Sequence, residues 1–120
     1  DREPTVLVGR SLGTNALALL RASDAEAACL PSIWIAPLMH REDVRESLLR
    51  GGGRRFVLCG GADAAYDPGL TPLLREHDAD VVVLEGADHM LDCGDAAASA
   101  RALAAALERM REFVARALSG

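Results

Sequence analysis

The sequence predicts an α/β domain built on a parallel four-stranded sheet with flanking helices. Apolar, β-branched runs alternate with amphipathic stretches along the whole chain, the pattern of successive βα units. In the first run the apolar residues occupy both alternating faces, as a strand buried between two layers requires. The length, 120 residues, suffices for one hydrophobic core and one domain.

The first run is Thr5-Val6-Leu7-Val8, ended by Gly9, and the stretch 12–20 then places Ala16, Leu19 and Leu20 on one helical face. The second unit opens with Ser32-Ile33-Trp34-Ile35, closed by Pro37. It continues through 41–50, where Val44, Leu48 and Leu49 form a short apolar stripe that the glycines at 51–53 terminate. Phe56-Val57-Leu58-Cys59 is the third strand, closed by Gly60-Gly61. A weak helix between Leu70 and His77 follows it, with Pro72 in the first turn. Val81-Val82-Val83-Leu84 is the fourth strand, and the longest helix runs from about Asp95, its candidate N-cap, to Leu118. That helix presents Leu103, Leu107, Met110, Val114 and Leu118 as its apolar stripe, and alanines at 96–106 favour it by propensity.

Composition narrows the function classes. Half of the residues are apolar (50%) and 26% are charged, which excludes a disordered tail, a collagen-like fibre or a disulfide knot. Thirteen basic residues, all arginine, face 18 acidic ones for a net charge of −5, so nucleic acid is not an expected partner. Neither a signal peptide nor an apolar stretch of the roughly 20 residues that span a bilayer is visible, so no membrane partner is expected. Cys29, Cys59 and Cys93 are odd in number and form no CxxC pair, which reads as free thiols in a reducing compartment, the cytoplasm.

In open parallel sheets ligands bind at the carboxyl ends of the strands, and these positions carry the chemistry here. Gly9-Arg10-Ser11-Leu12-Gly13 follows the first strand, Gly60-Gly61-Ala62-Asp63 the third, and Glu85-Gly86-Ala87-Asp88-His89 the fourth. Small residues two before and two after Ser11 allow a sharp strand-to-helix turn that projects the hydroxyl outward. The same turn aims the Leu12 amide at the space beside it, at the positive end of a helix. A serine becomes a useful nucleophile only when an imidazole removes its proton, and the imidazole needs an acid to fix its tautomer.

Plainer roles compete for each residue. Ser11 in front of a helix is also a natural N-cap. Asp67, followed by Pro68 in the same loop as Asp63, is the alternative acid or else a turn former. Arg10 reads as a solvated side chain, Cys93 as a small packing residue and Trp34 as core, while His40 and His77 read as exposed. Leu38, Met39, Tyr66, Met90 and Leu91 fall in loops at the active end of the sheet and are candidates to line an acyl pocket. Gly51-Gly52-Gly53 precedes a strand, whereas a phosphate-cradling loop follows one, and three histidines and three cysteines lack zinc-ligand spacing. No metal or cofactor is expected.

The runs VLVGRSLG, GGAD and GADH, in that order and each after its own strand, resemble the α/β-hydrolase superfamily. The resemblance covers nearly the entire chain as the carboxyl-terminal half of that fold. It implies Ser11 as nucleophile, Asp63 as acid, His89 as base and the Leu12 amide as one oxyanion-hole donor, with the last helix on the opposite face from the others. The family's second oxyanion donor comes from a loop after an earlier strand, for which this chain has no counterpart. The first strand would lie in mid-sheet, so its bare edge implies either a missing amino-terminal portion or, if the chain is complete, a homo-oligomer. The expected function is that of a serine esterase on a small acyl substrate, with thioester hydrolysis or acyl transfer sharing the same residues. The alternative is a non-catalytic relative that binds a ligand or partner.

Overall fold

A computed structural model describes residues 3–50 and 52–119. Among the described residues nine elements follow one another: β1 (Leu7–Arg10), α1 (Leu12–Ser23), α2 (Ala25–Ala28), β2 (Ser32–Ile35), α3 (Glu42–Leu49), β3 (Arg55–Gly60), α4 (Leu70–Glu76), β4 (Ala79–Leu84) and α5 (Ala96–Ser119). All strand pairs are parallel, in the order β1-β2-β3-β4, with Leu7 opposite Ser32, Ser32 opposite Arg55 and Arg55 opposite Ala79. The expected α/β class and sheet are therefore present. Gly51, within the expected helix-stopping triplet, lies outside the described residues.

Strand alternation divides the core in two. Trp34, Val57, Cys59 and Val81 face Leu17, Val44, Leu48, Leu70 and Leu74 of α1, α3 and α4. Ile33, Phe56, Leu58 and Leu84 face Ala106 and Phe113 of α5, on the opposite side as expected. Phe56 and Phe113 meet at a centroid distance of 5.6 Å, tilted by 51°. Each such fully buried side chain contributes roughly 1.5–3 kcal/mol of transfer free energy. Asp95 caps α5, accepting from the Ala98 amide at 3.3 Å.

Four expectations need correction. The first strand ends two residues later than Val8 and is not sandwiched: Val8 is 62% exposed. It shares the register and face of Ile33, but α5 lies over β3 and β4 and does not cover it. On α1, the inward face is Thr14, Leu17, Ala18 and Arg21, whereas Leu19 and Leu20 are exposed. The buried set keeps perfect helical spacing, yet two of its four members are polar, so counting apolar residues selects the wrong face. On α5, Leu107 and Leu118 are exposed, and Ala106 and Phe113 are deepest because small alanines let the helix approach the sheet. Finally, α2 is an unexpected turn of helix whose first amides, Glu26 and Ala27, donate to the Asp24 side chain.

Among the described residues two arginines lie in the interior. Arg21 donates to Ser47 O at 2.6 Å and Ser47 Oγ at 2.7 Å, with its guanidinium 5.7 Å from the Trp34 ring centroid. Arg55 donates to the carbonyls of Arg50 and His77. Burial lowers the pKa of both, and for Arg21 the Arg55 charge adds to the effect.

Candidate active site

Ser11 sits between β1 and α1 with φ 51° and ψ −117°, a conformation that L-residues adopt at a cost of order 1–3 kcal/mol. Its amide donates to Ile35 O at 2.8 Å, which ties the turn to the end of β2. The side chain makes no capping bond to α1. Instead Ser11 Oγ lies 2.6 Å from His89 Nε2. The two glycines of the turn differ in their reasons. A Cβ on Gly9 would meet Gly13 O at 2.9 Å and Leu17 Cδ2 at 3.2 Å, while one on Gly13 would meet nothing within 4 Å. Close approach therefore demands glycine at position 9 alone.

His89 is delivered by the loop after β4. Asp88 folds that loop by accepting from the Met90 amide at 2.9 Å and the Asp92 amide at 3.0 Å, and Leu91 completes it with φ 63°. The loop crosses the end of β3 at Gly60, where an added Cβ would come within 2.4 Å of the Ala87 and Asp88 carbonyls. The sequence places Gly60 and Asp88 inside its motifs without revealing that they shape this loop. An Asx-type residue immediately before the histidine, and a glycine ending a strand, are the signals that were available.

His89 Nδ1 lies 2.6 Å from Asp63 Oδ2, and Asp63 Oδ1 accepts from the Ala65 amide at 2.8 Å. In the tautomer with the proton on Nδ1, that atom donates to the carboxylate and Nε2 is left free to accept from Ser11. The Asp63 side chain is 3% exposed and that of His89 37% exposed, so the carboxylate is shielded and the imidazole is reachable from solvent. Asp67 is engaged elsewhere: its carboxylate pairs with Arg45 at 2.7 Å and accepts from the Gly69 amide at 3.0 Å. The Arg45 hydrogen bond, then the Gly69 amide, hold its pKa below the usual carboxylate range.

Leu12, at the first position of α1, is 71% exposed, and its amide has no acceptor within the helix. Among the expected pocket residues, Leu38 and Tyr66 are half-buried, and the Tyr66 hydroxyl is 3.0 Å from Thr71 Oγ1. Met90 is 68% exposed. Met39 departs from expectation: it is fully buried in the core, its amide donates to Ala65 O at 3.2 Å, and its Sδ accepts from the Asp67 amide at 3.4 Å. It has no surface to offer a ligand. Leu91 is half-buried against the α5 side of the core. Arg10, His40 and His77 are exposed, Trp34 is fully buried, and Cys93 is half-buried with Sγ 3.1 Å from Ser99 Oγ.

A hollow of about 610 Å³ lined by His40, Arg41, Glu42, Asp43 and Glu46 contains none of Ser11, Asp63 and His89. No cluster of three or more potential metal ligands occurs among the described residues, and no helix there is long and apolar enough to cross a membrane.

No family model matches the chain, and no curated protein does. Among solved structures it is similar to a predicted CIB-like hydrolase from Thermoplasma acidophilum, with a TM-score of 0.62 and 14% identity. The likeness covers 90% of this chain and 51% of that one, so the chain spans about half the length of this neighbour. At this identity the likeness shows a shared α/β fold alone.

Proposed function

We propose that the chain is a serine hydrolase of the α/β class that cleaves an ester or related acyl bond through an acyl-enzyme. The observation that carries this reading is the unbroken hydrogen-bonded series Ser11 Oγ, His89 and Asp63, with 2.6 Å at each step. The serine is held in a strained turn and makes no capping bond to its own helix, which supports a partnership of its hydroxyl with the imidazole.

In this mechanism Ser11 Oγ attacks the substrate carbonyl carbon while His89 Nε2 takes the hydroxyl proton. Negative charge develops on the carbonyl oxygen, and the Leu12 amide donates to it at the positive end of α1. The tetrahedral species collapses, the ester bond breaks, and the departing alcohol oxygen takes the proton from His89. Water then attacks the acyl-serine with His89 again as base, and Ser11 regains its proton as the acid product leaves. Asp63 stays ionised throughout, holding the tautomer and stabilising the imidazolium. One oxyanion donor is typically worth on the order of 10² to 10³ in turnover.

Leu38, Tyr66 and Met90 are the side chains proposed to meet the acyl or alcohol group. Three free cysteines fit a reducing compartment such as the cytoplasm. The test is labelling with a fluorophosphonate. Modification of Ser11 that disappears in both Ser11→Ala and His89→Ala supports the reading. A folded protein that resists the probe overturns it in favour of a non-catalytic binding role.

A further inference from the structure

Thr14 is fully buried on α1, one turn after the serine, and the mechanism above leaves it without a task. Its amide donates to Ser11 O at 2.9 Å and its hydroxyl donates to the same oxygen at 2.6 Å. The hydroxyl in turn accepts from the Leu38 amide at 3.2 Å. Threonine hydroxyls in helices often bond the carbonyl three residues back, usually as a local competitor to the helix ladder. Two features set this instance apart. The carbonyl belongs to the strained residue of the turn, and the second bond fixes the hydroxyl to the loop after β2.

A peptide unit is planar, and no cis bond occurs among the described residues. The Ser11 carbonyl and the Leu12 N–H are two ends of one such trans unit and point in opposite directions. Holding the carbonyl therefore aims the amide. Near ψ −117° at Ser11, the turn itself gives this peptide unit no favourable well to rest in.

We propose that Thr14 is a positioning residue that fixes the direction of the Leu12 amide, and with it the oxyanion donor, by clamping the Ser11 carbonyl. This rests on the hydrolase reading. The Leu38 bond extends the clamp, so a shift of the loop after β2 is transmitted to the donor through a single hydroxyl.

The comparison of Thr14→Val, which keeps the shape and loses the hydroxyl, with Thr14→Ser, which keeps the hydroxyl, tests it on hydrolysis of p-nitrophenyl acetate. Thr14→Val is expected to lower kcat by roughly 10- to 100-fold, less than outright loss of a donor, with KM little changed. Thr14→Ser is expected to retain near wild-type kcat. Wild-type kcat in Thr14→Val, or an equal loss in Thr14→Ser, overturns the proposal. Should Thr14→Val fail to fold, Thr14→Ala, which also removes the hydroxyl, serves in its place, with the same two readings.

An inactive wild-type protein would sink the hydrolase reading and leave the clamp to be judged by NMR relaxation. The Leu12 amide is then expected to fall from the order of rigid backbone, an order parameter of about 0.85, when the hydroxyl is removed. An unchanged value overturns the clamp on its own.

Discussion

His89 Nε2 lies 2.6 Å from Ser11 Oγ although 78 positions separate the two in the chain. If this contact activates the serine, the two residues work as one unit and their losses do not add. Ser11→Ala and His89→Ala are each expected to lower kcat on p-nitrophenyl acetate by about 10⁴-fold or more, and the double variant no further. Steady-state kinetics on the three proteins, with circular dichroism to show retained fold, check this. Multiplying losses would mean that the residues act separately.

Asp63 and Asp67 share one loop, but only Asp63 meets the imidazole. Asp63→Asn is expected to cost about 10⁴-fold in kcat, because the amide stabilises the wrong histidine tautomer. Asp67→Asn should label with fluorophosphonate at the wild-type rate. Asp67 contributes to stability instead, and the sign follows from its depressed pKa. The contribution is complete above its ordinary value of 3.8 and is lost as pH falls through the lower folded value. The gap in melting temperature between wild type and Asp67→Asn should therefore close on acidification.

Gly9 and Gly13 should respond in opposite directions to alanine. At Gly9 the new methyl comes 2.9 Å from backbone, and a loss of about 1–3 kcal/mol is expected together with slower labelling of Ser11. At Gly13 the space is open and the residue is helical, so alanine should gain roughly 0.4–1 kcal/mol. Urea denaturation of the two variants measures both. A destabilised Gly13→Ala would show that the turn needs both glycines.

The Cys59 thiol, buried in β3, is pushed up to about 12, first by desolvation and then by the nearby Asp63 charge. In the folded protein it should resist iodoacetamide at pH 8, while exposed Cys29 reacts. Between pH 9.0 and about 12 the unfolded chain releases this proton and the folded one keeps it, so stability should fall as pH rises across that window. Cys59→Ala should flatten the slope of unfolding free energy against pH there. An unchanged slope would assign the alkaline loss to other groups.

How much of this was legible in the sequence depends on how far each position is governed by local chemistry. β2 was read at its observed bounds because Ser32-Ile33-Trp34-Ile35 is apolar on both faces and stopped by Pro37. The end of β1 was missed because Gly9 and Arg10, poor strand residues, continue a ladder with Trp34 and Ile35 that only the partner strand reveals. The inward faces of α1 and α5 depend on buried Arg21 and on small alanines, whose placement is decided by Trp34, Ser47 and Phe56 across the core. At the site, Ser11, Asp63 and His89 were readable because each follows a strand end. Thr14 was not, since its partners, a strained carbonyl and a distant loop amide, are backbone groups that carry no sequence signature.

The order β1-β2-β3-β4 hangs the hydroxyl and the imidazole from opposite margins of the sheet, roughly 14 Å apart by strand spacing alone. Only a fully assembled domain can bridge that width. The meeting of this hydroxyl with this imidazole is therefore made in the step that docks β4 beside β3.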